Sequence, residues 1–104
     1  MCLEEKKKYL KNYQVVATAL KRTERQIMLY GKREEILKEQ KEYVATLSKI
    51  KEEISLLDEP LLREILIQKY LCGLTLNKIS GNLNYSIRQT TRLHKKALEL
   101  FTIL

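Results

Sequence analysis

The chain holds very little that would break a helix: one proline, Pro60, and three glycines, Gly31, Gly73 and Gly81, in 104 residues. With so few turn-makers, and with charged residues that are mostly Lys and Glu, an all-α fold is expected. No apolar run approaches the roughly 18 residues that a membrane-spanning helix needs. Only two cysteines are present, Cys2 and Cys72, far apart and without a second pair, so no disulfide framework is expected and a reduced, cytoplasmic setting fits. The residues after Met1 lack the charged-then-apolar order of a secretory leader. There is one histidine, no tryptophan and no glycine-rich phosphate loop. The acidic pairs Glu34–Glu35 and Glu52–Glu53 are neighbours that diverge around a helix. Neither catalysis, nor a metal, nor a cofactor is expected from such a set.

Positive charge is plentiful but unevenly spread. The formal net charge is +7. From Met1 to Leu56 there are 13 basic and 9 acidic residues, whereas from Ile65 to Leu98 there are six basic residues and no acidic one. A cationic excess gathered in one stretch points to a polyanionic partner more than the total does.

The length allows one small domain or a compact unit with an extended helix. Two segments are expected, residues 1–57 and 58–104. In the first, apolar residues repeat at heptad spacing: Leu3, Leu10, Tyr13, Ala17, Leu20 and Ile27, interrupted by Lys6 and Glu24. A second series runs Ile36, Tyr43, Leu47, Ile50, Ile54, Leu57, interrupted by Gln40. The nine residues from Ile27 to Ile36 turn about 900° on a straight helix, so the two stripes would face opposite sides. Gly31 lies between them, and glycine commonly ends helices. A helical hairpin folded at Tyr30, Gly31 and Lys32 is therefore expected, although no Ser, Thr, Asp or Asn near residue 32 caps the second helix. Pairing of the same stripes between chains, as a coiled-coil dimer, is the alternative.

In the second segment Asp58, Glu59 and Pro60 open a helix reaching to about Leu71, with Leu62, Ile65, Leu66 and Tyr70, joined by Leu61, on its buried face. Gly73 ends it. Cys72 is expected to be a small buried side chain. Thr75 caps a short helix, Leu76 to Leu83, that buries Ile79 and Leu83. Small Ser80 allows another helix close approach, and Gly81 costs about 1 kcal/mol relative to alanine. Asn84 and Tyr85 form a turn, with Tyr85 expected to pack on the preceding helix. Ser86 and Gln89 have the spacing of a capping box for the last helix. Thr90, Leu93, Ala97 and Leu100 line one face of that helix, and Arg88, Arg92 and Lys95 another. A short helix, a tight turn and a second capped helix with a basic outer side describe a helix-turn-helix.

The stretch from Arg63 to Leu98, REILIQKYLCGLTLNKISGNLNYSIRQTTRLHKKAL, resembles region 4 of the sigma-70 class. It is most similar to the small phage-encoded regulators of the ArpU and RinA type, which place a helical segment before this module. The likeness covers about a third of the chain, and NLNYSIRQ followed by KKAL is its most specific part. Asn77 and Lys78 stand where the family usually has acidic residues, and Thr90 where it has a β-branched apolar one.

The resemblance implies a bacterial host cell, duplex DNA as partner, and transcription regulation as the role. Ile87, Arg88, Thr91 and Arg92 correspond to the positions that face the groove. Their chemistry agrees: Arg donates two hydrogen bonds to guanine, and an apolar or Thr methyl meets the thymine methyl. Lys95 and Lys96 are placed for phosphates, as are Lys78, Thr75 and Ser86 at helix N-termini. His94 is taken as an exposed residue without a specific task. A homodimer through the N-terminal helices is expected, because one such module supplies little contact. RNA polymerase is a further partner if the chain acts as an adaptor, and a DNA-packaging component of the small-terminase kind is a third reading.

Overall fold

The computed structural model of the chain describes residues 2–104, and all of the regular structure in them is helical. Helix α1 spans Leu3–Tyr30 and α2 spans Glu34–Ser55. Helix α3 covers Pro60–Leu66 and runs without interruption into a π-helical turn, Ile67–Leu71. Two shorter helices follow, α4 (Leu76–Leu83) and α5 (Ile87–Leu100).

The chain reverses at Gly31, whose φ of +80° is open to glycine and strained for other residues. The Gly31 N–H closes α1 on the Ile27 carbonyl at 2.9 Å. Helix α2 starts at Arg33 with no side-chain cap, and Glu34 and Glu35 in its first turn face the positive end of the helix dipole instead. The two helices pack antiparallel within one chain. Arg22 pairs with Glu39 at 2.6 Å, and the Tyr9 hydroxyl donates to Glu53; both contacts are nearly symmetric about Gly31.

The buried stripe of α1 departs from the heptad reading. Val16 and Thr23 are buried beside Leu10 and Tyr13, while Glu24 is exposed. The steps of three and four are kept, but they run through Tyr13, Val16, Leu20, Thr23 and Ile27, so the inner face lies on the other side of Tyr13 and Leu20 from Ala17 and Glu24. Lys6, the other interruption, reaches across to α5. Its Nζ donates to the carbonyls of Leu98 at 2.9 Å and Glu99 at 3.1 Å, two acceptors left open by the helix end.

One apolar core runs through both segments. Leu10 and Tyr13 of α1, Ile50 and Ile54 of α2, Leu62 and Tyr70 of the third helical stretch, and Leu98 and Phe101 at the end of α5 belong to a single cluster. The joint between the segments is closed by the Arg63 guanidinium, which donates to the Leu57 carbonyl at 2.9 Å. Glu53 lies in the same region at 2% exposure. It accepts from Tyr9 and, at 2.6 Å, from the Leu104 N–H, with Lys49 Nζ at 3.9 Å. A carboxylate so deep in the protein needs such donors, because an unpaired buried charge is costly.

Several expected placements need correcting. Leu100 is 53% exposed and Phe101 is buried in its place. The inner face of α5 is set by residues 90, 94, 97, 98 and 101, and Leu100 lies about 100° round the helix from Phe101. Cys72 is exposed, because the chain is already leaving the π turn toward Gly73, whose φ is +72°. Tyr85 is 39% exposed rather than packed on the preceding helix. It occupies the position before the N-cap, where an aromatic needs an apolar partner at the fourth helical residue, and Thr90 stands there.

Candidate nucleic-acid interface

Helix α5 is held at both ends and along one side, and this fixes what its outer side presents. At its start the Ser86 hydroxyl accepts the Gln89 N–H at 3.1 Å, and the Gln89 side chain accepts the Ser86 N–H at 3.2 Å. The capping box satisfies two donors that a helix N-terminus otherwise leaves open. At its end, Lys6 takes the last carbonyls. Helix α4 has the N-cap bond alone, Thr75 Oγ1 accepting the Lys78 N–H at 3.3 Å. Asn84, at φ +59°, makes the left-handed bend that joins α4 to α5, and the Tyr85 N–H bonds the Ser80 carbonyl at 3.0 Å. Asn tolerates that conformation better than most residues.

On its inner side α5 buries Thr90, His94, Ala97 and Leu98 against α3, α4 and α1. Arg88, Thr91, Arg92 and Lys95 are all exposed on the other side, and Ile87 is 54% exposed in the first turn. Among the described residues neither Arg88 nor Arg92 pairs with a carboxylate. The Thr91 hydroxyl bonds back to the Ile87 carbonyl at 2.8 Å, which leaves its methyl for outside contact. The four residues singled out for base contact thus share one exposed surface of α5.

The residues singled out for phosphate contact are more divided. Lys95 lies on the same surface, and Lys78 is exposed in the first turn of α4. Lys96 lies further round α5 and pairs with Glu59 at 3.6 Å, toward the start of α3. The hydroxyls of Thr75 and Ser86 are both engaged as helix caps.

His94 is 6% exposed, not a free surface histidine. It shares a hydrogen bond of 2.8 Å with the Tyr70 hydroxyl, and the two rings lie 5.7 Å apart. Burial, helped by the nearby ammonium groups of Lys69 and Lys7, pushes the imidazole down to about 4, so it is neutral at physiological pH. Burial, with the Glu4 carboxylate adding to it, pushes the Tyr70 phenol up to about 12. This pair ties the middle of α5 to the π turn. The sequence carried the signal: His94 stands at i+4 from Thr90 and three before Ala97, in phase with the buried face. Glu53 is less legible, because on α2 only the positions of Ile50 and Ile54 around it mark its side as inner.

In comparisons with protein-family models, curated proteins and solved structures, nothing matched this chain.

Proposed function

We propose that this chain is a sequence-specific duplex-DNA-binding transcription regulator, phage or prophage encoded, in which α4, the turn at Asn84 and α5 act as a helix-turn-helix and α5 enters the major groove. The observation that carries this reading is the division of α5: its inner side is buried and its ends are capped, while Arg88, Arg92 and Lys95 are exposed and, among the described residues, have no carboxylate partner. Leaving like charges unpaired on a rigid helix disfavours the isolated protein and suits a polyanion. The resemblance of Arg63–Leu98 to region 4 of the sigma-70 class supports the same reading.

Arg88 and Arg92 are the base readers, each worth roughly 1 to 3 kcal/mol of discrimination. Ile87 and the Thr91 methyl supply thymine contacts, and Lys95 and Lys78 meet phosphates. Two copies joined through the N-terminal hairpins would place two α5 helices about 34 Å apart on one face of DNA. Met28, Leu29 and Tyr30, exposed at the hairpin tip, supply apolar surface for such pairing. The test is the salt dependence of duplex binding. A fall of log K with log salt by several units is expected, about 0.9 per phosphate neutralised. A flat response on random and phage DNA alike would remove the reading.

A further inference from the structure

The first turns of α1 lie along the C-terminal half of α5 and the π turn, and two anchors fix them there. Lys6 Nζ binds the Leu98 and Glu99 carbonyls of α5, and the Gln14 side-chain amide donates to the Tyr70 and Leu71 carbonyls at 2.9 and 2.8 Å. Lys7 and Lys11 precede Gln14 by seven and three residues, so they share its stripe of α1, toward the π turn. From the π turn itself Lys69 extends its ammonium over the Tyr70 ring, 5.7 Å from the centroid. Tyr70 in turn bonds His94 of α5. Lys7 and Lys69 thus stand near His94 of α5 from two other elements, and Lys11 follows Lys7 by one turn of α1 toward the π turn. The fields of Lys7 and Lys69 both reach His94. The one carboxylate paired within this group is Glu4, on Lys7 at 3.3 Å; among the described residues Lys11 and Lys69 have none.

We infer that Lys7, Lys11 and Lys69 form a phosphate-binding shoulder, so that duplex DNA is gripped by α1 and the π turn as well as by α5. This rests on the reading of α5 as the groove-entering helix. Packed helices lie 8–10 Å apart, axis to axis, roughly the same scale as the ~12 Å width of the major groove. With α5 in the groove, a helix packed beside it lies over the groove wall, where the phosphates run. The shoulder gives the N-terminal hairpin a direct part in binding.

The experiment measures affinity of the full chain for duplex DNA across a salt series. It compares the wild type with a Lys7→Gln, Lys11→Gln, Lys69→Gln variant, and with a control that removes three exposed charges from α2, Lys38→Gln, Lys41→Gln, Lys51→Gln. The shoulder variant is expected to lower the salt slope by about 2 to 3, at about 0.9 per lost phosphate contact, and to weaken binding to all sequences alike. The α2 control is expected to keep the wild-type slope. Equal slopes for the two variants, with the wild type binding well, overturn the shoulder and leave the reading of α5 standing. Failure of the wild type to bind any duplex overturns both. Should replacing Lys69 disturb the fold, Lys11→Gln alone is expected to lower the slope by about 0.9, and an unchanged slope there likewise overturns the shoulder.

Discussion

The hairpin and the two short helices differ in the acidic residues that accompany their positive charge. Along α1 and α2 nine carboxylates are interspersed with the cations, three of which they pair, Lys7 with Glu4, Arg22 with Glu39 and Lys49 with Glu53, whereas α4 and α5 carry a single carboxylate, Glu99. On α4 and α5 one lysine is paired, Lys96 with Glu59, and Arg88, Arg92, Lys95 and Lys78 are not, among the described residues. Yet both regions draw on one core, so the difference lies on the surface and not in how either region is held. A helix locked into that core with its charges unanswered presents a binding surface at little further cost in ordering.

Phe101 packs in the core that the hairpin and α5 share. Phe101→Ala is expected to cost about 3 to 5 kcal/mol and to unfold α1, α2 and α5 in one transition under denaturant. Separate transitions in far-UV circular dichroism and Tyr fluorescence would mean that the hairpin and α5 fold independently.

The His94–Tyr70 bond at the junction gives the next largest effect. The imidazole is depressed to about 4 in the folded chain, against about 6.5 when unfolded. Below the unfolded value the unfolded chain takes up a proton that the folded chain refuses. Stability from this group is thus complete above about pH 6.5 and is lost as pH falls toward 4, by on the order of 2 to 3 kcal/mol. Urea titrations between pH 7.5 and 4 should show that decline, and a His94→Gln variant, less stable throughout, should show much less of it.

Two glycines sharpen the contrast further because each belongs to one region. Gly31→Ala forces an L-residue to φ +80° and is expected to lower stability by about 1 to 3 kcal/mol. Gly81 has an ordinary helical backbone and open space where a Cβ would go, so Gly81→Ala should raise stability by about 0.5 to 1 kcal/mol. Thermal melts of the two variants, expected to shift in opposite directions, check both. The smallest effect is expected from Glu39→Gln in the exposed pair with Arg22, whose melting temperature should stay close to that of the wild type.

Local signals carried much of the fold. The reversal at Gly31, the start of α3 at Pro60, the caps at Thr75 and Ser86 and the bend at Asn84 each depend on a few adjacent residues, and each stands where those residues place it. What the sequence concealed depends on distant partners. Glu53 is buried because Tyr9 and Leu104, 44 and 51 residues away, supply donors. Lys6 breaks the stripe of α1 because the end of α5 needs a cation there. The widening of α3 into a π turn at Ile67–Leu71 has no marker in residue type; it brings Tyr70 to His94. On α5 the exposed set is legible from helical phase; His94 is in phase with the buried face although its residue type suggests the surface, and Leu100, spaced like the inner residues, gives way to Phe101.

On the reading proposed above, Arg88 and Arg92 of α5 choose the DNA site and contribute nothing to the fold. Genomic DNA footprinting with the wild type and an Arg88→Ala, Arg92→Ala double variant, with thermal melts of both, tests it most directly. Equal melting temperatures are expected, with discrete protected sites for the wild type and loss of those sites in the variant. A variant that melts normally and still protects the same sites would contradict it.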